Sequence, residues 1–239
     1  MIQTSRTMKK ALFLLCLSIA SQSFGTLFTY DSGFQNGGVI TDGDVNGWTD
    51  TRNVVTEGYS IYDVKVTLNI SGGYNGDLYA YLTHGTEMIV LLNRVGVGTQ
   101  NGTSVFGYGN SGLNVTLANG GANGDIHLYG GNSTPSGVYA PDGRTVSPLS
   151  SAASFDAAGT VNFSVFNGLN PNGNWTLFVS DVAGSGGTPS VVTDWSLDVS
   201  AVPEPTNIAL SIFGGIAAMF GICRTNPVRR LLRKAKRGC

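Results

Sequence analysis

Acidic residues in a glycine-rich loop are the most site-like feature of this 239-residue chain. Asp42-Gly43-Asp44-Val45-Asn46-Gly47, followed by Asp50, sets oxygen donors at alternate positions with a glycine where a tight loop must bend. Hard oxygen ligands so spaced can wrap one Ca²⁺. Asn53 stands where a calcium loop of the EF-hand kind has its bidentate Glu, and no flanking helices are evident. A plain Asp/Asn/Gly turn leading into a strand is the weightier alternative. Asp77 and Asp181, each at the end of an expected strand, form a second calcium candidate, with backbone-capping turns again as the competing reading.

Material for catalysis is thin. His84 and His127 are the only histidines, and neither a Gly-x-Ser-x-Gly elbow nor an HExxH pair is present. Two carboxylates would serve a glycosidase, and the acidic residues are numerous enough to supply them. Gly107-Tyr108-Gly109-Asn110-Ser111-Gly112 spells GxGxxG, but a strand-like run at 113–118 follows it where a dinucleotide site needs a helix. It reads as loop composition. No enzyme activity is expected. Tyr79 and Tyr81 share one strand face opposite Leu78, Ala80 and Leu82. They either cover sheet surface or offer flat rings to sugars, with neighbouring Asp and Asn as hydroxyl partners.

The elements that must position these residues are strands. Val64, Val66, Leu68 and Ile70 alternate with polar residues, as do Val161, Phe163 and Val165, then Trp175, Leu177 and Val179, then Trp195, Leu197 and Val199. Period-two alternation marks half-buried antiparallel strands. Shorter runs at 26–30, 78–83, 87–94, 113–118 and 125–129 add to them. Asn-Gly pairs such as Asn75-Gly76 and Asn172-Gly173 supply the turns. The expected fold is all-β, an antiparallel jelly-roll-like sandwich over 26–201, with Trp175 and Trp195 in its core.

Charge divides the chain. The net charge is −1, yet residues 26–202 hold Arg52, Lys65, Arg94 and Arg144 against 14 acidic residues, a net of −10. Such a body repels polyanions, so nucleic acid is not an expected partner. Glycine, at 34 residues, is roughly twice its ordinary share, and charged residues about half of theirs. That composition excludes a coiled coil and a highly charged disordered chain. At the front, Arg6, Lys9 and Lys10 precede an apolar run at 11–20 and then small residues, the order of a secretory signal peptide over 1–25. At the back, Pro203-Glu204-Pro205 opens the segment 202–239. It precedes an apolar stretch at 208–223 and then Arg224, Arg229, Arg230, Arg233, Lys234, Lys236 and Arg237. Sixteen helical residues rise about 24 Å, slightly short of a hydrocarbon core, and a basic tail stays on the cytoplasmic side. Cys16, Cys223 and Cys239 all lie in these ends, so the body has no disulfide and no thiol.

The order Pro-Glu-Pro, short membrane helix, Arg-rich tail resembles the PEP-CTERM sorting signal of Gram-negative bacteria. The resemblance implies cleavage near Pro203-Glu204-Pro205 by an exosortase, an integral-membrane enzyme, in an organism that makes extracellular polysaccharide. The protein would then be transiently anchored in the inner membrane and end up secreted or at the cell surface. Within the body, Gly76-Asp77-Leu78, the turn at Gly85-Thr86, Asn172-Gly173-Asn174-Trp175-Thr176-Leu177 and Trp195-Ser196-Leu197 resemble the P domain (P/Homo B) that follows the catalytic domain of subtilisin-like proprotein convertases. The segment 98–155, with Ala140-Pro141-Asp142-Gly143-Arg144, is longer than that family's pattern. A protease domain ahead of the sandwich is not expected from this sequence. The expectation is a non-catalytic structural or interaction protein that needs no cofactor, with a carbohydrate-binding or adhesive module, calcium-dependent or not, as the alternative and a cryptic hydrolase third.

Overall fold

The computed structural model describes residues 24–55, 59–100, 102–184, 186–203 and 213–216. Residues Phe24–Val202 form one compact unit. Among the described residues no helix is long and apolar enough to cross a membrane. The expected signal peptide, save its last two residues, and the expected membrane helix, save a helical stretch at 213–216, lie outside the described residues.

The described residues are mostly β, in two antiparallel-rich sheets consistent with an all-β sandwich. The described strands are β1 (Phe24–Tyr30), β2 (Val39–Ile40), β3 (Trp48–Val54), β4 (Tyr59–Ser71), β5 (Leu78–His84), β6 (Glu87–Asn93), β7 (Leu113–Ala118), β8 (Ser136–Tyr139), β9 (Gly173–Asp181) and β10 (Ser190–Pro203). One sheet runs β1-β10-β4-β7-β8 with β2 beside the start of β10; the other runs β3-β9-β5-β6. All recorded pairings are antiparallel except β7 with β8. The β5–β6 hairpin turns at Gly85, whose φ of 62° in the first of two loop positions suits a II′ turn.

Alternation decides which side of each strand is dry. Val64, Val66, Leu68 and Ile70 of β4 and Trp195, Leu197 and Val199 of β10 share one core with Leu78, Ala80 and Leu82 of β5 and Trp175, Leu177 and Val179 of β9. Each is at most 4 % exposed, so both tryptophans are core residues, as their phase predicts. Two expected strands are not strands. Residues 125–129 form a 3₁₀ turn at Ile126–Leu128, because the Asp125 carboxylate accepts from the His127 amide at 2.9 Å and caps it. Residues 161–165 fall largely in a 3₁₀ turn at Phe163–Phe166, capped likewise by Asn162 on the Ser164 amide. There Phe163 and Phe166, three apart, are both buried, while Val161 is exposed. A period of three displaced the period of two. A five-residue helix, α1 (Ala152–Asp156), sends Phe155 inward.

Candidate functional site

An open cleft of about 810 Å³ lies around His84 at one end of the four-stranded sheet. The β5–β6 turn supplies Gly85 and Thr86, and the 169–174 segment supplies Asn170, Asn172 and Asn174. An Asx turn shapes that segment: the Asn170 side chain accepts from the Asn172 amide at 2.9 Å. His84 is buried and stacks on Trp175, with ring centroids 4.1 Å apart and planes within 6°. Its Nδ1 meets the Asn174 carbonyl at 3.1 Å and its Nε2 the Asn170 carbonyl at 2.7 Å. Trp175 donates from Nε1 to the Pro171 carbonyl at 3.0 Å. Imidazole and indole together pin the 170–174 turn to the sheet.

The outer face of the same sheet continues from the cleft. Asn53 donates to the Asn174 side chain at 3.1 Å, and the Thr51 and Thr176 hydroxyls bond at 2.8 Å across β3 and β9. Beyond this row Tyr81 of β5 stacks on Phe178 of β9 at 4.6 Å and 13°, and Tyr79 lies 5.9 Å from Tyr81. Leu78, Ala80 and Leu82 point into the core, so the tyrosines take the outer face that their phase predicts. Burial raises the Tyr79 phenol above its ordinary range, with Tyr81 and Asp142 adding to the shift.

His127 belongs to a second polar cluster, in which His127, Asp142 and Asn93 are buried and Arg144 and Asp125 partly so. Its Nδ1 lies 2.6 Å from an Asp142 carboxylate oxygen and its Nε2 2.9 Å from the Val97 carbonyl. Asp142 also accepts from the Asn93 amide at 3.1 Å, and Arg144 bridges Asp142 to Asp125 at 3.3 and 2.8 Å. Burial disfavours the Arg144 charge, but Asp142 and Asp125 more than offset this and hold it firmly protonated. This is a His–Asp pair of triad type with a carbonyl where a nucleophile would stand. What it does here is anchor the long 98–155 segment, since the Asp142 and Gly143 amides donate to Leu91 and Val90 along the β6 edge. Nothing in the sequence spacing links Asn93 to Asp142 and Arg144, some fifty positions away. The only signal was the Ala140-Pro141-Asp142-Gly143-Arg144 segment and the scarcity of cations in the body.

The calcium candidates fall in two places. Asp44 accepts from the Asn46 amide and side chain at 2.9 and 3.0 Å, a local Asx turn, and Asp42 accepts from the Gly186 amide at 3.1 Å. Asp50 turns inward: its carboxylate accepts from Trp195 Nε1 and from Arg52 Nε, each at 2.7 Å, joining one sheet to the other. Asp77 and Asp181 are brought close, and Asp42 with them. Burial foremost, with repulsion from Asp77 and Asp42, holds the Asp181 carboxyl above its usual range, against opposing bonds from the Ala183 and Gly43 amides. Among the described residues no group of three or more His, Cys, Asp or Glu is arranged to hold a metal ion. Residues 107–112 are loop, and β7 follows them. Pro203 is the last residue of β10, whereas Glu204, Pro205 and the cations from Arg224 to Arg237 lie outside the described residues.

No protein-family model matches the chain, and no curated protein matches it in sequence. Solved structures similar to it include the serine protease of Aeromonas sobria, both in its complex with the chaperone ORF2 (TM-score 0.44, 15 % identity) and alone (TM-score 0.43, 15 % identity). The matches cover 82 % and 81 % of this chain and 30 % of the matched chain in each case, so this chain spans under a third of the length of the chains it resembles. A likeness of that depth carries no argument about activity.

Proposed function

We propose that this chain is an exported, non-catalytic interaction module of P-domain type at the surface of a Gram-negative bacterium, processed near Pro203-Glu204-Pro205 by an exosortase-type membrane enzyme. The observation that carries the reading is the order of charge along the sequence: a basic and apolar front, a body of net charge −10, then Pro-Glu-Pro, an apolar run and seven cations. The positive-inside rule keeps both basic ends in the cytoplasm and sends the body across. Both imidazoles favour the non-catalytic part. Each ring nitrogen of His84 and His127 faces a backbone carbonyl or a carboxylate, so neither ring presents a free base to a substrate.

Intact-mass analysis of the protein recovered from envelope and culture medium tests the reading. The expected product lacks the first 23 to 25 residues and ends close to Pro203. Protein recovered from the cytosol with both ends uncut contradicts it. A second reading, an adhesive or carbohydrate-binding module, is favoured by the rings and amides on the outer face of the four-stranded sheet.

A further inference from the structure

We propose that the outer face of the four-stranded sheet, together with the cleft beside His84, binds a chain of neutral sugars. This rests on reading the protein as an exported interaction module, and it names the partner and the place. Three features of the face converge on that chemistry. The first is shape: Tyr81 and Phe178 stack face to face, Tyr79 is inclined beside them by 59° to Tyr81 and 65° to Phe178, and all three are half-buried. Such a cluster forms an apolar ridge of ring edges against which the C–H groups of a pyranose can pack.

The second is the type of polar group. The row next to the rings consists of Thr51, Thr176 and Thr83, in register across β3, β9 and β5, and the next row holds Asn53 and Asn174. Hydroxyls and amides both donate and accept, as sugar hydroxyls do, and one bond leaves an amide with further donor and acceptor positions. The Asn53–Asn174 and Thr51–Thr176 bonds fix these groups before a ligand arrives, which lowers the ordering cost of binding.

The third is charge. These rows contain no Asp, Glu, Lys or Arg, although the body as a whole has a net charge of −10. A polyanionic glycan is repelled by the surrounding field and a polycation finds no carboxylate here, whereas a neutral glycan loses nothing to either. The cleft continues the same chemistry, lined by Asn170, Asn172, Thr86 and Asn174.

Affinity electrophoresis of the full chain, through gels containing glucomannan, xyloglucan or hydroxyethylcellulose with alginate as the acidic counterpart, tests the inference. At least one neutral polymer should retard the protein, and alginate should not. Tyr81→Ala should weaken retardation at least tenfold. Asn174→Arg, at an exposed position, should do the same and serves if Tyr81→Ala fails to fold. Tyr62→Ala, an exposed tyrosine of β4 in the other sheet, should stay within twofold. The inference is overturned by no retardation in any neutral polymer, by retardation in alginate alone, or by equal retardation of wild type and folded variants. Any of these leaves the export reading standing, because that reading depends on the mature ends and not on sugar.

Discussion

The outer surfaces of the two sheets share a backbone design and differ in what they show to water. On the six-stranded side Asp63, Lys65, Asp194 and Asp198 punctuate the exposed positions, Lys65 sits 4.0 Å from Asp198, and Asn69 donates to Asp194. On the four-stranded side the matching positions are Thr, Asn, Tyr and Phe. Charge on a sheet face keeps it hydrated and discourages association. A face whose β3, β9 and β5 rows are free of charge and carry three clustered rings gives up that protection. In a body of net charge −10, the contrast marks the four-stranded face as the one made to be covered, and the six-stranded face as the one made to stay wet.

The largest effect should come from the floor of the neutral face. Trp175→Ala, which removes a fully buried ring and the stack that holds His84, should cost about 3–5 kcal/mol in urea unfolding. A near-neutral result would mean that the cleft is not supported from below. Asp142→Ala leaves His127 and Arg144 without their shared buried partner and should cost about 3 kcal/mol or more, with the 98–155 segment becoming sensitive to protease. Asp50→Ala breaks the tie from β3 to Trp195 and should cost about 1.5–3 kcal/mol by the same measurement. Added calcium should not restore that loss if the carboxylate acts through Trp195 and Arg52.

Asp181→Asn has the opposite sign. Its carboxyl is held above the usual range, mainly by burial, so ionisation destabilises the fold at neutral pH and protonation relieves it. The variant should melt about 1–3 °C higher at pH 7, and the gain should vanish as pH falls into the carboxylate range. A calcium-dependent wild-type Tm that Asp181→Asn abolishes would instead assign the Asp42, Asp77 and Asp181 carboxylates to a metal. On the wet face, Lys65→Ala should change stability by at most about 0.5 kcal/mol, since its pairing with Asp198 is exposed.

Long runs of strict alternation were legible as strands. β5, β7, β9 and the second half of β10 fall where Leu78, Leu113, Trp175 and Trp195 set the phase. β3 was hidden because one of its inward positions is Asp50, a charge that pairing with Arg52 and Trp195 makes tolerable in the core. At 125–129 and 161–165 a single capping Asp125 or Asn162 overrode the apolar alternation, a local competition that period counting does not weigh. The tyrosine side of the binding face followed from phase alone. Phe178, its third ring, lies 97 positions beyond Tyr81 and joins it only through the β5–β9 register. The cleft was less legible still, since it exists only where the 169–174 segment meets the β5–β6 turn.

The most direct test of the difference between the faces is ¹⁹F NMR of the full chain carrying fluorotyrosine, with resonances assigned by Tyr→Phe substitution. On titration with glucomannan the signals of Tyr79 and Tyr81 should shift together while that of Tyr62 stays in place. Movement of Tyr62 alone, or of no tyrosine at all, would contradict the assignment of the neutral face as the binding surface.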